Sequence, residues 1–519
     1  MPNSSQKKPS LRELPDTEIL AQAYRAAQTG RQQIAIVFFQ EMLRRDPQHS
    51  FVLLDMAQCH RRLYQQDEMK QALTKVRRHA RKDPLVALAY ARACDAMRDK
   101  EGALEGYRRL EKFPEARVVA RVNQLEILER LNRLEECEKM LSNMRPRERK
   151  HPKSVITEAR LLQRQQKWLE AESLLRGLTE DEDQQICMDA NYLLASVLDK
   201  QGRQDEAMSL LQDYKQKQGS TTEAEIARKR SEVTHDFITR SFDAFDNEEM
   251  KTWRKGGSEE ASITFLIGHP RSGTTLMEQA LDSHTGIVSA DETWAFLNSA
   301  WNPVQTDAAS RFENSLSRWI REATPEQVSH LRDTYLKGIA CEPGCAAPGK
   351  HLIDKNPALT MYSLLIMRLL PEAKFIVALR DPRDVIISSF MQNVAMTNWS
   401  VNWLTLEDSV EMYILAMTSW LKLRETTASN WIEVRYEDCV KDLPHEVKRI
   451  TEFLGLDWQD TQSSPHKHVK TKTVFSPTYG DVLKPVYSSS VARWKAYAKH
   501  LEPYQEKLAP FVKAFGYEV

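Results

Sequence analysis

The sequence lacks the long apolar run that a membrane-spanning helix requires. None of its 519 residues belongs to a stretch that approaches about 20 consecutive apolar side chains. Residues 1–15 are polar and include Lys7 and Lys8, and no apolar core of a secretory signal follows them. We therefore expect a cytoplasmic protein with no membrane partner.

Net charge and closely spaced metal ligands are also missing. The 73 basic and 73 acidic side chains cancel, so whole-chain charge gives no reason to expect a nucleic-acid partner. The seven cysteines are odd in number and widely spaced, which argues against a disulfide framework. Cys341 and Cys345 precede His351, but this spacing is poor for zinc, and we predict no metal site.

Residues 1–220 carry almost no strand signal and are rich in Ala, Leu, Glu, Arg and Gln. A phrase made of a turn, a polar or acidic residue, a small residue and an apolar run recurs along this segment. Its reference positions are Ala35, Met69, Gly106, Cys137, Ala171 and Ala207, at intervals of 34, 37, 31, 34 and 36 residues. A period near 34 with two helices per unit resembles tetratricopeptide repeats and predicts about six of them.

The repeat pattern predicts how the first part of the chain is built. Gly30, Gly102 and Gly202 are predicted to lie in the turns between the two helices of a repeat. Stacked repeats form a superhelix whose concave face suits a peptide or protein. A purely structural or dimerising array is the alternative, and a homodimer stays open. Residues 221–260 are predicted to form a connecting helix and linker.

The second part of the chain begins with an apolar run, Ile263–Ile267, that predicts a buried strand. A glycine-containing turn follows, and then a helix over Thr275–Leu281. A strand, a glycine loop and a helix in this order can bind a phosphate, because the backbone N–H groups of the loop and of the helix N-terminus point at the ligand. The loop fits the frame of a P-loop except that Thr274 replaces the usual lysine. This change disfavours a P-loop kinase and favours an anion site in which Arg271 supplies the charge.

The string from Pro270 to Leu276 resembles the 5′-phosphosulfate loop of sulfotransferases that use 3′-phosphoadenosine 5′-phosphosulfate (PAPS) and release PAP. The resemblance implies that the donor is bound by Pro270, Arg271, Ser272, Gly273, Thr274 and Thr275. It also implies the fold class: an all-α tetratricopeptide-like repeat array followed by an α/β, P-loop-like sulfotransferase domain. That domain is predicted over residues 261–519, around a central parallel sheet.

A second motif joins a predicted strand, Lys374–Leu379, to a helix over residues 385–390. In the turn between them, Asp381 suits the helix cap and Pro382 suits the first helical position. The motif resembles the segment of PAPS enzymes that binds the 3′-phosphate. That resemblance implies a donor-binding role for Arg380 and Ser388.

A short apolar stretch from Ile287 predicts another parallel strand, which ends on Asp291 and Glu292. Taken alone, such an acidic pair is more typical of a helix cap than of a catalytic site. Protein-tyrosine sulfotransferases carry a glutamate here as general base, and the resemblance gives this role to Glu292. It likewise implies that Lys355 contacts the oxygen between phosphate and sulfate, and that Arg271 assists it.

Residues near the C-terminus complete the resemblance. The positions that it assigns to the donor site are Tyr436, Thr478, Lys484, Arg493 and Lys495, and the hydroxyl of Thr478 is assigned a catalytic contact. A basic run over residues 466–472 could attract an acidic acceptor, or it could be a solvated loop.

These features predict a PAPS-dependent sulfotransferase that needs no metal. Tyrosine in a protein or peptide is the predicted acceptor, because a phenol with a pKa of ~10 loses its proton more readily than an alkyl alcohol. The repeat array could hold that peptide. The alternatives are a carbohydrate or small-molecule hydroxyl as acceptor, and a non-catalytic scaffold with a nucleotide-binding domain.

Overall fold

The computed structural model describes residues 10–243, 253, 262–342, 344, 345, 347, 349–426, 430–465 and 486–518. The chain divides into two compact units, Met1–Gln166 and Lys167–Val519. Among the described residues, no helix is long and apolar enough to cross a membrane.

The described part of the first unit is helical. Its helices are α1 (Asp16–Gln28), α2 (Gln32–Arg45), α3 (Ser50–Arg62), α4 (Gln66–His79), α5 (Pro84–Ala96), α6 (Lys100–Leu110), α7 (Arg117–Arg130), α8 (Leu134–Ser142), α9 (Pro146–Arg149) and α10 (Pro152–Arg164). Helix α5 shows why they begin where they do. Pro84 occupies its first position, and the Asp83 carboxylate accepts the N–H groups of Leu85 and Val86.

The turns within the helix pairs repeat with a fixed period. A left-handed backbone conformation occurs at Gly30, Tyr64, Arg98 and Asn132, an interval of 34 residues each time. Gln166 follows after another 34 residues, and Gly202 in the second unit follows after 36. The described backbone therefore contains the helix-pair period that the sequence predicts.

The prediction that Gly102 forms one of these turns is wrong. Arg98 takes the left-handed position, and Gly102 lies in the first turn of α6, where its N–H donates to the Asp99 carboxylate at 2.8 Å. A Cβ at Gly102 would lie 2.2 Å from the Asp99 carboxylate. The Asp99 side chain fills the space beside Gly102, and the backbone of Gly102 is helical.

The second unit opens with four helices, α11 (Trp168–Arg176), α12 (Gln184–Lys200), α13 (Gln204–Gly219) and α14 (Thr222–Asp243). Its strands are β1 (Ile263–Gly268), β2 (Ile287–Asp291), β3 (His351–Lys355), β4 (Lys374–Leu379) and β5 (Trp431–Arg435). Its later helices are α15 (Thr274–Asp282), α16 (Asn302–Arg311), α17 (Leu316–Glu322), α18 (Pro325–Ala340), α19 (Ser363–Leu369), α20 (Pro382–Phe390), α21 (Leu406–Thr426), α22 (Tyr436–Lys441), α23 (Leu443–Leu454), α24 (Ala498–Leu501) and α25 (Gln505–Ala514).

The strands form one parallel sheet in the order β2-β3-β1-β4-β5. The register places Lys355 beside both Leu266 of β1 and Asp291 of β2. The predicted parallel sheet is confirmed, and strand β1 is buried along its whole length, as its apolar run predicts. Because all five strands are parallel, their carboxyl ends meet at one edge of the sheet, where open α/β sheets bind ligands.

Helices α12–α14 belong to the same unit as the sheet, and two of them have described contacts with residues 401–404. Ala224 and Ala227 of α14 share an apolar cluster with Val401 and Leu404. The buried Lys215 ammonium of α13 donates to the carbonyl of Trp403. The domain boundary that the sequence places near residue 220 stays a prediction, although α11–α13 lie on the sheet side of the contact-based division.

Candidate functional site

The loop after β1 starts at a position that only glycine can occupy. Gly268 has a φ of 139°, and a Cβ there would lie 2.3 Å from the carbonyl oxygen of Ala378 on β4. The Gly268 N–H donates to Thr360 Oγ1 at 2.8 Å, and this hydroxyl donates back to the Gly268 carbonyl at 2.5 Å. The loop therefore leaves the centre of the sheet at a fixed point.

The rest of the loop leads into the N-terminus of α15. The Ser272 N–H donates to the carbonyl of His269 at 3.1 Å, and Arg271 adopts a left-handed φ of 77°. Gly273, with a φ of 90°, precedes the helix and provides no side-chain cap. An uncapped N-terminus with a strained arginine before it is a geometry that binds anions. The predicted strand, loop and helix are confirmed, with the helix extended by one residue at each end.

Two motifs that are 109 residues apart meet at this loop. The Arg271 Nε donates to Ser388 Oγ at 3.0 Å, and Arg380 Nη1 donates to the Arg271 carbonyl at 3.0 Å. The Arg380 guanidinium lies 5.0 Å from the centre of the Tyr436 ring, and that ring packs against Gly273. The structure thus brings together five of the residues that the sequence assigns to donor binding.

Arg380 shows that this cluster suits an anion. Its Nη2 donates to the Ser490 carbonyl at 2.6 Å and lies 3.7 Å from the Asp384 carboxylate. Its Nε is buried and has no hydrogen-bond partner among the described residues. A buried guanidinium N–H needs an acceptor, and a phosphate oxygen would satisfy it.

The turn before α20 is built as the sequence predicts. Asp381 accepts the N–H of Arg383 at 2.9 Å, and Pro382 is the first residue of the helix. Asp384, in the first turn of α20, holds a C-terminal segment in place and was not predicted as a site residue. Its carboxylate accepts the N–H groups of Ala492 at 2.8 Å and Trp494 at 2.7 Å, while burial raises its pKa to about 6. It fixes the C-terminal segment beside Arg380.

Four other C-terminal residues are assigned to the donor, and two of them lie among the described residues. The described contacts of Arg493 include an ion pair with Asp199 of α12, at 3.0 Å. Lys495 is exposed to solvent. Thr478 and Lys484 lie outside the described residues.

A second cluster lies at the ends of β2 and β3, around the buried ammonium of Lys355. Lys355 Nζ donates to Asp291 and to Glu292 Oε1, the latter at 3.0 Å, and lies 3.4 Å from Glu278 Oε2. Burial disfavours the ammonium, but the three carboxylates outweigh burial and raise the pKa of Lys355 well above its ordinary value. The structure therefore joins Glu292 and Lys355, two of the four residues to which the resemblance assigns a catalytic role.

Glu292 is the carboxylate of this group that reaches solvent. Its side chain is 32% exposed, whereas those of Asp291 and Glu278 are 4% and 0% exposed. The backbone of Glu292 has a left-handed φ of 47° and is held by its N–H, which donates to the Lys355 carbonyl at 2.8 Å. A strained, oriented and accessible carboxylate can take a proton from a bound hydroxyl.

Glu278 of α15 was not predicted as a site residue. Besides its proximity to Lys355, it accepts the Ser289 hydroxyl at 2.7 Å. The available signal was an acidic residue among Leu276, Met277 and Leu281, on a short helix that otherwise faces the core. A buried carboxylate among apolar neighbours requires a cationic partner.

Most residues of these clusters lie in a segment that matches a known family model. Residues 264–460 match the model of the sulfotransferase family. The chain is 27% identical over 332 residues to an uncharacterized protein of Aquifex aeolicus (strain VF5), covering 62% of this chain and 41% of that one. It is 24% identical over 273 residues to protein-tyrosine sulfotransferase A of Caenorhabditis elegans, covering 51% and 69%.

Among solved structures, the sulfotransferase domain from the Synechococcus PCC 7002 olefin synthase aligns with a TM-score of 0.36 and 20% identity. That alignment covers 51% of this chain and 99% of the domain. The matched region spans about two fifths of the Aquifex protein, 41% of its length. The family match over residues 264–460 shows that the chain contains a sulfotransferase-family domain.

Proposed function

We propose that the protein transfers a sulfuryl group from PAPS to the hydroxyl of a tyrosine in a protein or peptide. The observation that carries this proposal is that two groups of contacts lie at the same edge of the sheet. In one group Lys355 donates to Glu292. In the other, Arg271 contacts Ser388 and Arg380. One cluster supplies a base and a cation, and the other supplies donors for phosphate.

The residues of the loop fit the donor. PAPS supplies an activated sulfuryl group together with two phosphate groups. The uncapped start of α15 and Arg271 would hold the phosphosulfate, and Arg380 with Ser388 would hold the 3′-phosphate. The buried Arg380 Nε supports this assignment, because it requires an acceptor that the described residues do not provide.

Glu292 then acts on the acceptor. Its carboxylate would take the proton of the acceptor hydroxyl as the hydroxyl oxygen attacks the sulfur of the donor and the bond from sulfur to the phosphate oxygen breaks. A general base of this kind raises the rate ~10²–10⁴-fold. Lys355 orients Glu292 by direct contact, because its ammonium donates to Glu292 Oε1 at 3.0 Å. The fixed donors of the loop stabilise charge on the departing oxygen, and one such donor is worth ~3–4 kcal/mol.

Tyrosine is the proposed acceptor for two reasons. Its phenol has a pKa of ~10, within reach of a carboxylate base aided by fixed cations. The chain is also similar to protein-tyrosine sulfotransferase A over half its length. In this proposal, the helix pairs of the first unit bind the acceptor protein, as the repeated concave surface of such arrays suits.

Transfer of ³⁵S from labelled PAPS tests the proposal. The acceptors are tyrosine peptides, glycans and small phenols, and the enzymes are the wild type, Glu292→Gln and the exposed control Glu223→Gln. We expect label on peptide tyrosine, a loss of at least about 100-fold in Glu292→Gln, and wild-type transfer by the control. Label on glycans alone would overturn the acceptor, and failure to bind PAP would overturn the donor.

A further inference from the structure

A large aromatic side chain is exposed next to the proposed base. Trp294 is 55% exposed, and it is the only tryptophan among the large apolar residues that the described part of the chain exposes to this degree. Its neighbours Thr293, Ala295 and Phe296 are buried. Burying an indole is favourable, and this exposed indole is available to a ligand that reaches Glu292.

The backbone around Trp294 is fixed on both sides. The Glu292 N–H donates to the Lys355 carbonyl at 2.8 Å, and Asn356 Nδ2 donates to the Thr293 carbonyl at 3.2 Å. The Trp294 carbonyl accepts the Asn298 N–H at 2.9 Å, which starts the following helix. The backbone that carries Trp294 is therefore held in place relative to the backbone of Glu292.

The short separation along the chain keeps the backbone of Trp294 close to that of Glu292. Two residues separate the Cα atoms of Glu292 and Trp294 by at most about 7 Å. An acceptor whose hydroxyl reaches the Glu292 carboxylate extends its remaining atoms into the space next to that carboxylate. An aromatic ring in that space can stack on an indole or meet its edge.

We propose that Trp294 is a specificity-determining residue that packs against the aromatic ring of the acceptor. This inference rests on the proposed function and deepens it, because it explains how a phenol is preferred over an alkyl hydroxyl. The indole is uncharged, and its flat face makes a larger contact with a flat aromatic ring than with an alkyl chain. In this proposal Glu292 favours an acceptor with an acidic hydroxyl, and Trp294 favours the aromatic ring to which that hydroxyl is attached.

The test uses the full chain and a pair of matched peptides, one with a single tyrosine and one with phenylalanine in its place. The variants are Trp294→Ala, Trp294→Phe and the control Leu169→Ala, which removes an exposed side chain of α11. In Trp294→Ala we expect the KM for the tyrosine peptide to rise about three- to tenfold. The KM for PAPS should stay unchanged, and Trp294→Phe should restore most of the loss.

Equilibrium binding of the phenylalanine peptide separates this inference from the chemistry. The peptide has the ring without the hydroxyl, so its Kd should weaken in Trp294→Ala by the same factor as the KM. Unchanged Kd and KM in Trp294→Ala, with tyrosine still labelled, would overturn the role of Trp294 alone. Absence of transfer to any tyrosine peptide by the wild type would overturn the proposed acceptor.

Discussion

Asp199 of α12 forms an ion pair with Arg493, with 3.0 Å between Oδ2 and Nη2. The same carboxylate accepts the hydroxyl of Tyr497. The backbone just before Arg493 contacts the candidate 3′-phosphate site, because Arg380 donates to the Ser490 carbonyl. A helix pair at the start of the second unit is thereby linked to the candidate 3′-phosphate site through a few C-terminal residues.

Asp199→Asn should weaken donor binding. The substitution removes the charge that holds Arg493, so the segment that contacts Arg380 loses an anchor. We expect the Kd for PAP to rise by about three- to tenfold, the range of a single charged hydrogen bond that is partly solvated. Calorimetric titration with PAP measures it. Asp205→Asn is the control, because Asp205 pairs with Lys499 and His500 in a more exposed setting. Equal affinities in both variants would contradict the link.

Arg380→Lys should impair recognition of the 3′-phosphate. A lysine cannot reproduce the fork that contacts the carbonyls of Arg271 and Ser490 and also presents Nε to a ligand. PAP affinity should fall by about 10- to 100-fold. A nucleotide without the 3′-phosphate should bind wild type and variant alike. A similar loss for both nucleotides would place Arg380 elsewhere in the donor site.

Lys355→Met should destabilise the fold as well as abolish transfer. It leaves the buried carboxylates of Glu278 and Asp291 without their cation, at a cost of about 3–5 kcal/mol in the free energy of unfolding. Without the cation, burial raises the carboxylate pKa values above those of the unfolded chain. The variant should therefore lose stability relative to wild type as pH rises from about 4 to 7. Denaturant unfolding at several pH values measures this difference, and a constant deficit would contradict it.

Lys215 should make stability depend on pH in the alkaline range. Its ammonium is buried near the rings of Phe390 and Tyr192, and burial lowers its pKa to about 7 from 10.5. Between these values the unfolded chain binds a proton that the folded chain does not, so the free energy of unfolding rises with pH. Lys215→Met removes this slope, whereas the exposed control Lys217→Met should keep it. Parallel curves for all three proteins from pH 7 to 10 would refute the assignment.

The strands and loops of the site were predictable because each is encoded locally. Buried parallel strands require apolar runs such as Ile263–Ile267, and the loop residues share one short string. Glu278, Asp384 and Asp199 were not predictable as site residues. Each acts on a partner brought close only by the fold, such as Lys355 or the backbone of Ala492, and no local pattern encodes such a pairing. The predicted turn at Gly102 was wrong because that glycine lies within α6 and Arg98 takes the left-handed position of the turn.

The division of the chain at Gln166 and Lys167 bears on how the protein can be shortened. A protein cut back to residue 261, where the sulfotransferase domain is predicted to begin, would lose α12–α14 and uncover the apolar side chains of Val401 and Leu404. Newly exposed apolar area promotes self-association. Starting at Lys167 keeps that surface covered and retains Asp199 with Arg493. Helices α12–α14 therefore form one structural unit with the sheet, and a shortened protein must keep them.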